Sequence, residues 1–220
     1  MFNENEKLLI LDTETANSLE EPIVYDLGFA VVDLEGNVLE TKSLIISEIF
    51  LDKEFMNSAY YANKIPQYWE NIKSGKSMLC RFNTARDIVH KVCKKYNIKK
   101  VFAHNMRFDY RSTNLSQRYL TCSKYRYFFP YGIEFWDTLK MARAVFKQDE
   151  NYSKFCIENE FLTNHKNRQN KYTAEVLYRY LTNNVDFIEE HKGLDDVLIE
   201  KEILMYCLSQ DKNLNGRLWG

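Results

Sequence analysis

The chain has 220 residues, with 30 Lys and Arg against 31 Asp and Glu and a formal net charge of -1. That length can bury its own core without disulfides, and the absence of a basic excess excludes a protein that coats long nucleic acid by charge alone. The combination of 14 Phe, 15 Tyr and 3 Trp with only 7 Gly and 3 Pro excludes a disordered tail, a collagen-like repeat and a glycine-loop architecture.

The polar, acidic start from Met1 to Lys7 lacks the basic-then-apolar order of a secretion signal. Lys7 to Asp12 carries the run Leu8-Leu9-Ile10-Leu11 and reads as a short buried strand. Ile23 to Asp33 is a second apolar run. The turn Glu35-Gly36-Asn37 then leads into a return strand, Val38 to Ile46, so the chain opens with three sequential antiparallel strands. Ile49 to Asn63 and Gln67 to Lys73 are predicted helices separated by Pro66. Thr84 to Tyr96 repeats Ala85, Ile88, Val89, Val92 and Cys93 at helical spacing. A fourth strand, Lys100 to His104, runs into a helix from about Phe108 to Leu120. A fifth, Ile133 to Trp136, precedes Asp137 as the cap of a helix over Thr138 to Phe146. Thr163 to Lys171 reads as an exposed loop, with His165, Lys166, Arg168 and Lys171 as candidate phosphate contacts. Thr173 to Leu181 and Gly193 to Leu208 are the last helices. The order predicts one α/β domain over residues 1–220, a mixed five-stranded sheet flanked by helices. No segment reaches the apolar length of a membrane span, so no membrane partner is expected. The five cysteines are odd in number and lack a C-x-x-C pair, which reads as reduced thiols in a cytoplasmic protein. The four histidines show no ligand spacing with them that would make a zinc site.

Three short motifs carry chemistry. The first strand ends Asp12-Thr13-Glu14-Thr15. Residues two apart on a strand share a face, so Asp12 and Glu14 project together, and two close carboxylates raise each other's pKa unless a cation removes the repulsion. Hard cations such as Mg²⁺ or Mn²⁺ want such oxygen ligands. The second motif, His104-Asn105-Met106-Arg107-Phe108-Asp109, follows an apolar strand and opens a helix. The third is His191-Lys192-Gly193-Leu194-Asp195-Asp196. Taken singly, each has a plain structural alternative: an exposed strand end, a core histidine, or acids at the positive end of a helix.

In this order the three motifs resemble the DEDDh (DnaQ-like) family of 3′–5′ exonucleases, whose pattern is D-x-E, then H/Y-N-x-x-F-D, then H-x-A-x-x-D. The motifs span Asp12 to Asp196, nearly the whole chain, and the family's ribonuclease-H-like fold agrees with the element order. The wider wording is also similar to exonuclease-like proteins encoded by phages of Gram-positive bacteria. The resemblance implies that Asp12, Glu14, Asp109 and Asp196 hold two Mg²⁺ or Mn²⁺ ions, and that His191 is the general base for an attacking water. It further implies contacts to substrate from Thr13, Thr15, His104, Asn105 and Phe108. The implied reaction releases nucleoside 5′-monophosphates from the 3′ end of single-stranded DNA or short oligonucleotides. The chain departs from the pattern twice: Gly193 stands where the family has Ala, and Ala16-Asn17 stand where many members have Thr-Gly. The histidine-plus-five spacing selects Asp196 over Asp195.

Rings cluster at Tyr60-Tyr61, Tyr68-Trp69 and Tyr125 to Tyr131, where stacking could hold single-stranded bases, with core packing as the competing role. Two other functions compete with a DNA exonuclease. One is an exoribonuclease like oligoribonuclease or RNase T, and the other a non-cleaving nucleic-acid or protein-binding module. Any proofreading role would need a separate polymerase or replication partner, and a homodimer is the arrangement of many relatives.

Overall fold

The structure is a computed structural model that describes residues 2–3, 5–164 and 166–219. Six strands form one mixed sheet, built from β1 (Leu8–Ala16), β2 (Ile23–Val32), β3 (Val38–Ile46), β4 (Met78–Cys80), β5 (Lys100–Ala103) and β6 (Glu134–Asp137) in the spatial order β4-β3-β2-β1-β5-β6. The first three strands are antiparallel neighbours, and β5 joins β1 in parallel. β1 is therefore central and covered on both faces, which is why Leu8 to Leu11 are all apolar instead of alternating. Leu9 and Leu11 enter one core, while Leu8 and Ile10 enter the other.

The first core is closed by α1 (Ser47–Phe50), α2 (Lys53–Asn57), α3 (Ile65–Lys73), α4 (Phe82–Lys95) and α5 (Met106–Leu120). The second is closed by α6 (Thr138–Phe146), α7 (Glu150–Glu158), α8 (Ala174–Thr182) and α9 (Gly193–Gln210). Cys80, Cys93, Cys156 and Cys207 are buried free thiols and Cys122 is an exposed one. No helix among the described residues is long and apolar enough to cross a membrane.

Four features depart from the sequence expectations. The sheet has six strands instead of five. β4 pairs in parallel with the end of β3 through only three residues, too short for alternation to register. β1 continues through the D-T-E-T segment to Ala16 instead of stopping at Asp12. The helix expected over Ile49 to Asn63 is broken into α1, α2 and a 3₁₀ turn (Ala62–Lys64), because the Asp52 side chain accepts the Glu54 and Phe55 amides and starts a new helix. Asp149 likewise caps α7, for which no helix was expected. Asp137 caps α6 as predicted, accepting from the Leu139 and Lys140 amides.

Candidate active site

The site is built where β1 meets the start of α9. Asp12 and Glu14 continue the strand face of Leu8 and Ile10, toward the second core. Asp12 stands opposite Gly28 of β2. A Cβ on Gly28 would lie 2.1 Å from the backbone carbon of Gly193, and a Cβ on Gly193 would lie 2.6 Å from the Gly28 nitrogen. Two glycines thus let α9 touch the sheet backbone directly. The Gly193 departure from the family pattern has a local cause: an alanine at position 193 has no room without moving the helix. Asp26 locks the contact. It is buried in β2, and its Oδ2 accepts the Gly193 amide at 3.0 Å and the Tyr68 hydroxyl at 2.9 Å. One turn into α9, Asp196 is 5% exposed and faces Asp12, whereas Asp195 points to solvent beside Lys192.

Asp12, Glu14, His191 and Asp196 line one open cavity of about 1200 Å³, together with His104 and Asn105. Ligand atoms of Glu14, His191 and Asp196 all lie within 4.8 Å of one another. Asp109 sits differently. It is 2% exposed, does not line the cavity, and accepts the Thr13 hydroxyl at 2.8 Å from beneath the sheet end. It still acts on the site electrostatically, being the strongest charge on Asp12. Thr13 is therefore corrected from a substrate contact to the hydroxyl that holds Asp109. Its side chain lies on the opposite strand face from Asp12, and its oxygen also meets Ser112 Oγ at 3.1 Å. Thr15, beyond a bulge after Glu14, and Phe108 are half-buried and do not line the cavity.

The two histidines differ in freedom. His104 uses both ring nitrogens, Nε2 to the Tyr172 carbonyl at 2.8 Å and Nδ1 to the Thr138 hydroxyl at 3.2 Å. Burial lowers its pKa, so it forms a neutral wall rather than a free donor to substrate. His191 is in the left-handed region (φ 47), an unfavourable conformation for a non-glycine residue. Its ring stacks on Tyr61, with centroids 4.4 Å apart at 11°, and its Nδ1 lies 3.8 Å from Glu189. Burial, and then the charge of Lys64, lowers its pKa.

Burial dominates the electrostatics of the acids. It raises Glu14 to about 9, Asp196 to about 8 and Asp109 to about 7, and drives Asp12 well above the ordinary carboxylate range; neighbouring carboxylates add to the rise in Asp12, Glu14 and Asp196. The Asp196 Oδ1 and Glu200 Oε2 atoms are buried without a hydrogen-bond partner. Oxygen-rich donors with unsatisfied, buried oxygens fit hard divalent cations, so the residues present suit the metals that the motifs imply.

Several contributors were not legible as motifs. Asp26 interrupts an otherwise apolar strand, and Glu200 interrupts the buried face of α9; an acid at such a position is the signal that could have found them. Arg143, Lys147 and Lys171 line the same cavity and supply its positive charge. Lys171 was expected in this role. Lys166 and Arg168 are exposed and away from the cavity, and His165 lies outside the described residues. The aromatic clusters divide. Tyr61 lines the cavity, and Tyr60 beside it is 87% exposed. Tyr68, Phe128 and Phe129 are buried core residues, because they fill the space between α3, α4 and the sheet. Tyr125, Tyr127 and Tyr131 are exposed on a separate groove with Arg86 and Arg126.

Comparison with known proteins adds the fold. No protein-family model and no curated protein matches the chain. Among solved structures, a product-bound exonuclease I aligns at a TM-score of 0.61 and 13% identity, over 94% of this chain and 44% of that one. E. coli exonuclease I in complex with a 5cy-dT13 oligonucleotide aligns at 0.58 and 13%, over 94% and 41%. Cell-death related nuclease 4 aligns at 0.53 and 10%, over 94% and 64%. This chain has the ribonuclease-H-like fold. It spans less than half the length of the exonuclease I chains that it matches.

Proposed function

We propose that this ribonuclease-H-like chain is a divalent-metal-dependent 3′–5′ exonuclease of the DEDDh type, acting on single-stranded DNA or short oligonucleotides. The observation that carries the reading is the convergence of Asp12, Glu14, Asp196 and His191, from motifs up to 184 positions apart, on one cavity with Asp109 directly beneath it. The likeness of fold to exonuclease I, whose structures include oligonucleotide complexes, supports the substrate class.

Asp12, Glu14 and Asp196 would hold the metals, with Asp109 acting from behind Asp12. Divalent cations, when bound, would acidify water and offset charge on the departing oxygen. His191 takes the proton from the attacking water. Its lowered pKa leaves it neutral and able to accept near neutral pH, and Tyr61 and Glu189 hold its ring against rotation. The water oxygen forms a bond to the terminal phosphorus as the bond from phosphorus to the 3′ oxygen of the preceding nucleotide breaks. A nucleoside 5′-monophosphate leaves, and the shortened strand keeps a 3′ hydroxyl. Arg143, Lys147 and Lys171 draw the phosphates of the strand to a cavity that its carboxylates would otherwise make repulsive.

The test is digestion of 3′-labelled and 5′-labelled DNA oligonucleotides, with matched RNA, in Mg²⁺ or Mn²⁺. The expected result is a ladder shortening from the 3′ end that Asp12→Ala abolishes. Indistinguishable behaviour of wild type and Asp12→Ala refutes the reading, and preferential loss of RNA reassigns the substrate.

A further inference from the structure

The motifs supply four candidate carboxylate ligands, but the cavity is lined by two more, Glu189, which lies beside the His191 ring, and Glu200. Glu200 follows Asp196 by four residues in α9, so both side chains lie on one helix face a turn apart. Glu200 is 3% exposed, lines the cavity with Asp12 and Glu14, and leaves its Oε2 buried without a hydrogen-bond partner. No ion pair among the described residues reaches it.

Its surroundings are acidic. Asp109, Asp196 and Glu189 all act on Glu200, and a backbone hydrogen bond from His104 offsets them in part. Glu200 is in turn among the charges that act on Asp12, with Asp109, Glu14 and Asp196. Asp109 has one oxygen committed to the Thr13 hydroxyl and does not line the cavity, whereas Glu200 does.

We propose that Glu200 is a fifth carboxylate of the metal centre, a ligand for one of the divalent cations that this cavity would hold. This rests on the reading that Asp12, Glu14 and Asp196 hold divalent cations. A carboxyl group kept in a buried acid cluster with one oxygen unsatisfied is a standing cost to the metal-free fold, and a direct bond to a cation would remove that cost. One of the two cations would then have a protein carboxylate beyond those of the motifs, and both would bind before substrate arrives. The added negative charge would weaken attraction for a phosphodiester, and Arg143, Lys147 and Lys171 on the same cavity offset it.

The experiment is calorimetric titration of Mn²⁺ into the full chain as wild type, Glu200→Gln, Glu200→Met and Asp12→Asn, with thermal unfolding of each in EDTA. Wild type is expected to take up two Mn²⁺. Both Glu200 variants should keep one site at wild-type affinity and weaken the other by roughly tenfold or more, the scale of losses at metal-supporting residues. In EDTA they should melt at or above wild type, since a buried carboxyl group crowded by other acids is gone. Two undiminished sites in both variants overturn the inference while leaving the exonuclease reading intact. A lower melting temperature in EDTA with both affinities unchanged also overturns it and makes Glu200 a structural residue. If wild type binds no Mn²⁺ and matches Asp12→Asn, the underlying metal reading has failed and the inference falls with it.

Discussion

Metal-free protein should lose stability as pH rises from 6.5 to 8. The perturbation is removal of divalent cations by EDTA, which leaves the carboxylates of the β1–α9 junction without counter-charge. Burial, followed by the charge of Glu189, holds Asp196 up to about 8 from an ordinary 3.8, so the folded chain retains a proton there that the unfolded chain has already released. More protons bound in the folded state means that stability falls with pH, and the fall continues until the folded pKa is passed. The interval from pH 6.5 to 8 covers 1.5 units, which for Asp196 alone is about 2 kcal/mol. For a chain of this size that is a drop of about 4–8 °C in Tm. Glu14, held up to about 9, acts in the same direction. In the first part of the window His90, His104 and His191, with pKa values lowered by burial, oppose the trend, and their effect fades once pH has passed the ordinary imidazole value. It also stops before thiols such as Cys93 and Cys207, both raised to about 12, add to the fall. Thermal unfolding in EDTA across this range is the assay, repeated with Mg²⁺, whose stabilisation should be larger at pH 8 because protons compete less for the oxygens there. A metal-free Tm that stays level or rises from pH 6.5 to 8 refutes the reasoning.

Gly193→Ala should destabilise the fold by about 1–3 kcal/mol, the usual cost of overpacking, because its Cβ meets the Gly28 nitrogen at 2.6 Å; denaturant unfolding checks this, and Mn²⁺ affinity should fall as Asp196 moves. His191→Ala should lower kcat by roughly 10²–10⁴-fold with Mn²⁺ stoichiometry retained, so a variant that cleaves at the wild-type rate removes His191 from the reaction. Replacing Arg143, Lys147 and Lys171 together by Ala should reduce the slope of log affinity against log salt for single-stranded DNA by about 2, at roughly 0.7 per phosphate contact. An unchanged slope in filter binding means that these cations do not touch the strand. Tyr61→Leu should lower kcat more than it raises KM, because the ring that stacks on His191 positions a base and leaves the carboxylates untouched; steady-state kinetics reads the split.

Much of this architecture is local information. The unbroken apolar run of β1, the turn at Gly36 and the cap at Asp137 follow from side-chain chemistry within a few residues, and the structure keeps all three. The resemblance of the three ordered motifs to a known exonuclease family lined up Asp12, Glu14, Asp109, His191 and Asp196 as one candidate set, which residue chemistry at each motif alone did not do. The breaks in the region after β3 and the strand β4 were less legible, since a cap of one aspartate or a strand of three residues leaves almost no periodic pattern.

What the chain cannot express locally is which side chains meet. Asp26 and Gly28 look like interruptions in a strand until α9 lands on them from 165 positions away, when one accepts the Gly193 amide and the other gives up its side-chain space. Thr13 reads as a ligand neighbour but spends its hydroxyl on Asp109, because alternation along β1 sends it to the opposite face. Glu200 gains its meaning only from the packing of α9 against the sheet, which brings it to the cavity that Asp12 lines. The sequence by itself determined the kinds of donor available and the order of the elements that carry them. Tertiary structure alone decided which donors share one buried volume, because burial, repulsion and cation binding depend on distances of a few ångströms between residues far apart in the chain.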